Sequence, residues 1–232
     1  MFKSQAILKE ETLSPSKIFE TGIYSTVVDM AYLGISDGGA YSLNLTLKTP
    51  DNRTHKETLW ITSGKDKGQL TYFINKDNEK QDLPGFAIAN AVSILITGKE
   101  LGDLTPEEKT INVYNFDLKK DVPTNKQVYV DLIGKQVDVA IQKQIVNKTS
   151  KAPDGTYKPT GETKEKNEIV SVFNTETKQN VYEYKNGLPA EFYSKWLERY
   201  EGKTIDKTSR INLTNSNNIS TNKPTKSLFG KQ

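Results

Sequence analysis

The nine residues YSLNLTLKT, Tyr41 to Thr49, leave little choice of backbone. Leu43, Leu45 and Leu47 occupy every second position, with Asn44, Thr46 and Lys48 between them. That period fits a strand with one buried face and one wet face. Turn chemistry brackets it, SDGGA before and TPDNRT after. The run IYSTVVDMAYLGI precedes the first turn and HKETLWITS follows the second. Residues 23–62 therefore read as a three-stranded meander, with Gly22 and Gly34 as places where a long first strand can bend.

The rest of the chain repeats this grammar with interruptions. Residues 64–82 read as a small hairpin turning at Lys76–Glu79. LPGFAIANAVSILITGKELGDL reads as a buried helix opened by Pro84 and Gly85 and closed by Gly98 or Gly102. Thr105, Pro106 and Glu108 fit a short capped turn. INVYNFDL and a shorter KQVYVDLI follow as strands. In KQVDVAIQKQIV, Val137, Val139 and Ile141 share one side, and this strand pairs with NEIVSVF. The connection between them, residues 147–167, is polar and lysine-rich and carries a PDG turn signal, so a projecting, mobile finger is expected. Phe192, Trp196 and Tyr200 recur at four-residue spacing in a last helix, as a stripe docked on the sheet.

This order predicts a mainly β protein with two or three helices. The expected fold is an OB-fold, a five-stranded Greek-key barrel, with an inserted hairpin and a C-terminal helix. The hydrophobic fraction of 34% and charged fraction of 26% suit a sheet with one wet face. The domain is expected over residues 1–202, with residues 203–232 a disordered basic tail rich in Asn, Ser, Thr and Lys. That tail carries Lys203, Lys207, Arg210, Lys223, Lys226 and Lys231 against Asp206, a net +5, which leaves −2 for the remainder of a chain whose net charge is +3. A near-neutral body with a basic tail suits a polyanion partner or a solubility tail.

Composition also excludes chemistry. Without cysteine there is no disulfide, thiolate metal site or thiol nucleophile. The single histidine, His55, is expected at the surface, and a His-based metal site or Ser-His-Asp triad has little to draw on. No phosphate-loop, dinucleotide-binding or HExxH pattern occurs; SGKDKG lacks the spacing of a phosphate loop. No cofactor, metal or catalytic activity is expected. MFKSQAILKEE is too short in apolar length for a signal peptide, and no run approaches the roughly 20 apolar residues of a membrane span. A cytoplasmic protein is expected.

The residues that remain are rings and cations. In ETLWITS, Leu59 and Ile61 take the apolar face, so Trp60 falls on the other face with Thr58 and Thr62. A tryptophan there needs a cover, either protein or a nucleobase. Tyr72 and Phe73 are adjacent and point to opposite faces, with Lys65, Lys67 and Lys76 around them. Lysines beside an open ring suit unpaired nucleic acid, cations following phosphates and rings receiving bases. Tyr114 and Phe116 share a face and either extend the stacking surface or fill the barrel. Lys143, Lys148, Lys151 and Lys158 line the long hairpin, which in OB-folds borders the nucleic-acid groove.

TSGKDKGQLTYFINKDNEKQDLPGFAIANAVSILITGKELG, EEKTINVYNFDLKKDVPT, GETKEKNEIVSVFN and KSLFG together resemble the single-stranded DNA-binding proteins of certain tailed bacteriophages. The resemblance covers roughly residues 40–202 and the last few, and SGxxKG…LPGF is its most specific part. It implies an OB-fold protein that coats unpaired phage DNA in replication and recombination, in the cytoplasm of the infected bacterial cell. On the matching positions it implies DNA contact by Ser63, Lys65, Lys67, Tyr72 and Phe73. Proteins of this function commonly end in an acidic tail that recruits partners, whereas this tail is basic. It either binds DNA itself, docks replication or recombination proteins through Leu228 and Phe229, or is a passive tether. The expected function is a non-catalytic single-stranded DNA binder. The rivals are an adaptor module whose groove is filled by protein and a metal-dependent nuclease.

Overall fold

The alternation in the leucine strand sets the register of the whole sheet. The computed structural model describes residues 18–208 apart from 116 and 154. In it β1 (Gly22–Ile35), β2 (Tyr41–Lys48) and β3 (Thr54–Trp60) form the expected antiparallel meander. Leu43 stands opposite Leu33 and Leu59, and Leu47 opposite Val28 and His55. All three leucines are buried. Each such side chain contributes roughly 1.5–3 kcal/mol, against ~0–1 kcal/mol for an exposed ion pair, so this apolar face holds the meander.

The bend in β1 falls elsewhere than at Gly22 or Gly34. An irregularity between Val28 and Met30 splits the strand, so that Gly22–Val27 pairs with β8 (Gln136–Lys151) while Val27–Ile35 pairs with β2. One strand thus serves two partners and turns the sheet. β9 (Tyr157–Phe173) pairs with β8, which makes β3 and β9 the edges that face each other. The helix α1 (Pro84–Thr97) packs against both edges and buries Ala89, Val92 and Leu95 in the core. Pro84 opens it and Gly98 closes it, as the sequence predicts. The sheet is antiparallel apart from its last strand, and β3 and β9 do not pair among the described residues, so it is not a closed barrel.

The other elements are additions to this frame. β4 (Tyr72–Ile74) and β5 (Lys80–Asp82) make the small hairpin. β6 (Glu107–Asn115) and β7 (Lys120–Val128) form a ribbon that touches β1 where Val128 meets Tyr32. Two expectations fail here. Thr105, Pro106 and Glu108 do not cap a helical turn, because β6 begins at Glu107 and the ladder to β7 claims its backbone. The second strand also starts earlier, at Lys120, and stops at Val128, after which Val130–Leu132 forms a 3-10 turn.

The polar stretch at 147–167 is no loose finger. β8 and β9 continue their ladder through Lys151 and Tyr157, and Ala152 N donates to Thr156 O at 2.7 Å to close the turn. A ladder satisfies the backbone whatever the side chains are, so polar composition alone does not forbid strands.

α2 (Val181–Asn186) and α3 (Glu191–Tyr200) cover the opposite face of β8. Trp196 is buried there against Ala140 and Phe173, with Tyr200 beside it; Phe192 stacks on Phe173 at 6.1 Å but stays partly exposed. β8 is therefore buried on both faces from Val137 to Gln142. The inward charge on Asp138 is met by Lys178 at 2.7 Å and Ser25 at 2.8 Å. Finally β10 (Ile205–Asp206) runs parallel to β8 at Gln144 and Ile145, beyond Ile141, where the pairing of β8 with β1 ends at Gly22. Residues 203–208 thus belong to the folded body and not to a disordered tail. Arg210, Lys223, Lys226, Leu228, Phe229 and Lys231 lie outside the described residues.

Candidate nucleic-acid interface

Strand parity keeps Trp60 out of the core. Leu59 is buried, while Trp60 is 46% exposed at the end of β3. Its backbone is pressed against α1: a Cβ placed on Gly85 would come within 2.3 Å of the Trp60 carbonyl oxygen and 2.6 Å of its nitrogen. Gly85 is therefore what lets the helix approach the edge strand, and this contact fixes where the indole starts.

The lysine-rich stretch after Trp60 is a built rim. Leu70 N donates to Ser63 Oγ at 2.9 Å and Ser63 N to Leu70 O at 2.8 Å, closing the loop on itself. Lys65 N donates to Gly38 O and Gln69 Nε2 to Gly39 O, so the loop is pinned to the β1–β2 turn. The Ser63 hydroxyl is thus engaged in shaping the loop, donating to Lys67 O at 3.2 Å. From there the chain enters β4, and Leu83 N donates to Thr71 O, which ties the small hairpin to the start of α1.

Between β3, this rim, the start of α1 and β9 lies a groove of about 1250 Å³. Trp60, Leu70, Tyr72 and Phe73 border it, and Ile169 and Val170 of β9 form the far wall. Phe73 is 41% exposed; Tyr72 is half-buried, with Lys80 Nζ 4.6 Å from its ring centre. Of the residues proposed from sequence, the groove unites Trp60, Ser63, Lys67, Tyr72 and Phe73. Lys65 stands next to it in the 3-10 turn Lys65–Lys67, its side chain packed over Gly39.

The remaining candidates stand away from this lining. Lys76 is in the turn between β4 and β5, and Tyr114 is exposed on β6. Lys143 is held between Glu20 at 3.0 Å and Glu165 at 3.3 Å, and these hydrogen bonds raise its pKa above the ordinary lysine value. Lys148 pairs with Glu162 at 2.8 Å, and Lys151 is exposed at the outer end of β8. Phe116 lies outside the described residues.

Three groove groups escaped the sequence reading. Glu57 sits on β3 at the groove wall; its Oε2 lies 2.9 Å from His55 Nε2 and accepts from Ile169 N at 3.3 Å, bridging the two sheet edges. His55 is buried rather than at the surface, because its register opposite Leu47 turns it inward, edge-on to Phe19. Glu168 on β9 faces burial, which raises its pKa, but hydrogen bonds from Lys207 at 2.9 Å and Gln144 at 2.5 Å outweigh this and leave it below the ordinary glutamate range. Lys207 lines the groove because β10 places it there. Strand parity could have oriented Glu57; nothing local could have brought Lys207 from the far end of the chain.

Among the described residues no three His, Asp or Glu side chains gather as a metal site, and no helix is long and apolar enough to cross a membrane. The chain matches no protein-family model and no curated protein in sequence.

Proposed function

We propose that this chain is a non-catalytic binder of single-stranded DNA, acting in phage DNA replication and recombination in the cytoplasm of an infected bacterium. The observation that carries the reading is the convergence of Trp60, Tyr72 and Phe73 on one open groove with Lys67 at its border. Two of the rings keep over two-fifths of their surface exposed, which is costly for a protein that leaves them without a cover. Bases stacked on them supply that cover with roughly 1–3 kcal/mol each and no demand for sequence. We further propose that the sheet is an OB-type barrel left ajar between β3 and β9, with α1 beneath the opening.

One observation favours the adaptor reading instead. Glu57, Asp66 and Glu168 line the same groove, and an apolar, mixed-charge cleft also suits a peptide. Indole emission separates the two. The chain has two tryptophans, and Trp196 is buried where α3 packs on Ala140 and Phe173, so quenching by a ligand in the groove reports Trp60. Titration with oligo-dT is expected to quench emission at low salt, with duplex of the same length failing to do so. Unchanged emission and no gel shift at low salt would remove the DNA reading and leave the adaptor one. The same gel-shift series with an RNA oligomer reports the preference between the two nucleic acids.

A further inference from the structure

We propose that β6 is a docking edge for a second copy of this chain, the two copies pairing antiparallel about a two-fold axis at Asn112. The starting point is an open ribbon. Among the described residues β6 pairs only with β7, and β7 pairs with the body only where Val128 meets Tyr32. Ile111, Val113 and Val122 share one face of the ribbon and stand outside both apolar clusters of the body. A two-stranded ribbon is marginally stable by itself in water, and an unpaired edge is a template for another strand.

Pro123 decides which edge is open. It stands opposite Asn112 and has no N–H to donate. Proline keeps its place in a ladder where its nitrogen faces away from the partner strand, so the outer edge of β7 is blunted. The same geometry makes Asn112 and Pro123 a pair without mutual hydrogen bonds. The N–H and C=O of Asn112 therefore point outward from β6. The β6–β7 ladder runs without a register shift from Glu107 to Asn115, and β6 contains no proline to disturb its edge.

The residues around Asn112 suit a second copy. Turned about that residue, Ile111 falls opposite the copy's Val113, and Val113 opposite its Ile111. These are non-hydrogen-bonded positions, where side chains approach most closely across strands. Lys109 falls opposite Asn115, so no like charges meet between 109 and 115. Residues 107–128 hold four Lys and four Asp or Glu, which leaves no net charge to oppose association. An axis perpendicular to the sheet keeps both apolar faces on one side. Ile111, Val113 and Val122 of the two copies then form one stripe across four strands.

The test is sedimentation of the full-length chain from sub-micromolar to high micromolar concentration. No nucleic acid is present, so the result does not depend on the DNA reading. The mass is expected to rise from one chain toward two. Three full-length variants, each matched to the parent by circular dichroism, locate the contact. N112P removes the central outward N–H, which the β6–β7 ladder does not use, and is expected to stay monomeric. I111K with V113K sets lysine opposite lysine across the axis and is also expected to stay monomeric. I111E with V113K sets glutamate opposite lysine and is expected to recover pairing. A parent that stays monomeric at every concentration overturns the proposal and leaves the edge to a strand of another protein. Pairing that survives in N112P assigns it to another surface, and equal masses for the two charged variants overturn the axis at Asn112.

Discussion

Trp60 is exposed because a strand alternates, and it is rigidly placed because Gly85 lets α1 touch its backbone. Those two causes predict different phenotypes for neighbouring changes. Trp60→Ala removes one stacking ring and is expected to weaken oligo-dT binding by roughly 1–3 kcal/mol, about 5- to 150-fold, at unchanged melting temperature. A large drop in thermal stability instead would mean that the indole is a packing residue. Gly85→Ala forces a methyl into the Trp60 backbone and is expected to cost ~1–3 kcal/mol of folding stability, seen as a lower denaturant midpoint. Glu168 gives a pH dependence. Its pKa is lowered in the folded state, so its contribution is complete at neutral pH and is lost as pH falls below the ordinary glutamate value of about 4.3 toward the lower folded one. Parent and Glu168→Gln stabilities should therefore differ at neutral pH and converge in acid; a gap that persists at low pH would contradict this assignment.

At the scale of elements, the C-terminal helices hang on a single carboxylate. Glu183 accepts from Asn180 N to complete the capping box of α2. Its other oxygen accepts from Glu191 N and Phe192 N, at the start of α3. Glu183→Ala leaves these part-buried donors without their acceptor and is expected to cost roughly 1–3 kcal/mol, with hydrogen exchange speeding up first in α2 and α3. Exchange that rises uniformly across the sheet would show that the two helices do not depend on it. The motif is visible in the sequence as Asn180 followed three residues later by Glu183, with Gly187 as stop, yet the helix is only six residues long and has no apolar period to announce it. The opposite error occurred at Thr105 and Glu108, where a good capping pattern lost to a strand ladder. Local capping energies of about 1 kcal/mol decide between states only where no partner strand competes.

At the scale of the whole molecule, Lys67 and Lys148 make a matched pair of tests. Both are lysines on the expected binding side, but Lys67 lines the groove and Lys148 is spent on Glu162. Lys67→Ala should lower affinity for oligo-dT and reduce the salt slope by about 0.7, while Lys148→Ala should change neither. Equal effects would extend the interface along the β8–β9 hairpin. The sequence by itself determined the meander, the helix at 84–97, the outward side of Trp60 and the stripe that buries Trp196, because each follows from periodicity within one element. It left three things undecided: that β1 divides itself between two partners, that β3 and β9 meet over α1 without pairing, and that Lys207 returns to the groove wall. The first two depend on contacts between residues more than a hundred positions apart, such as Glu57 with Ile169, and the third on Lys207 meeting Ile145 and Glu168, 62 and 39 positions before it. No local pattern encodes such a contact; it exists only once the elements pack together and exclude water between them.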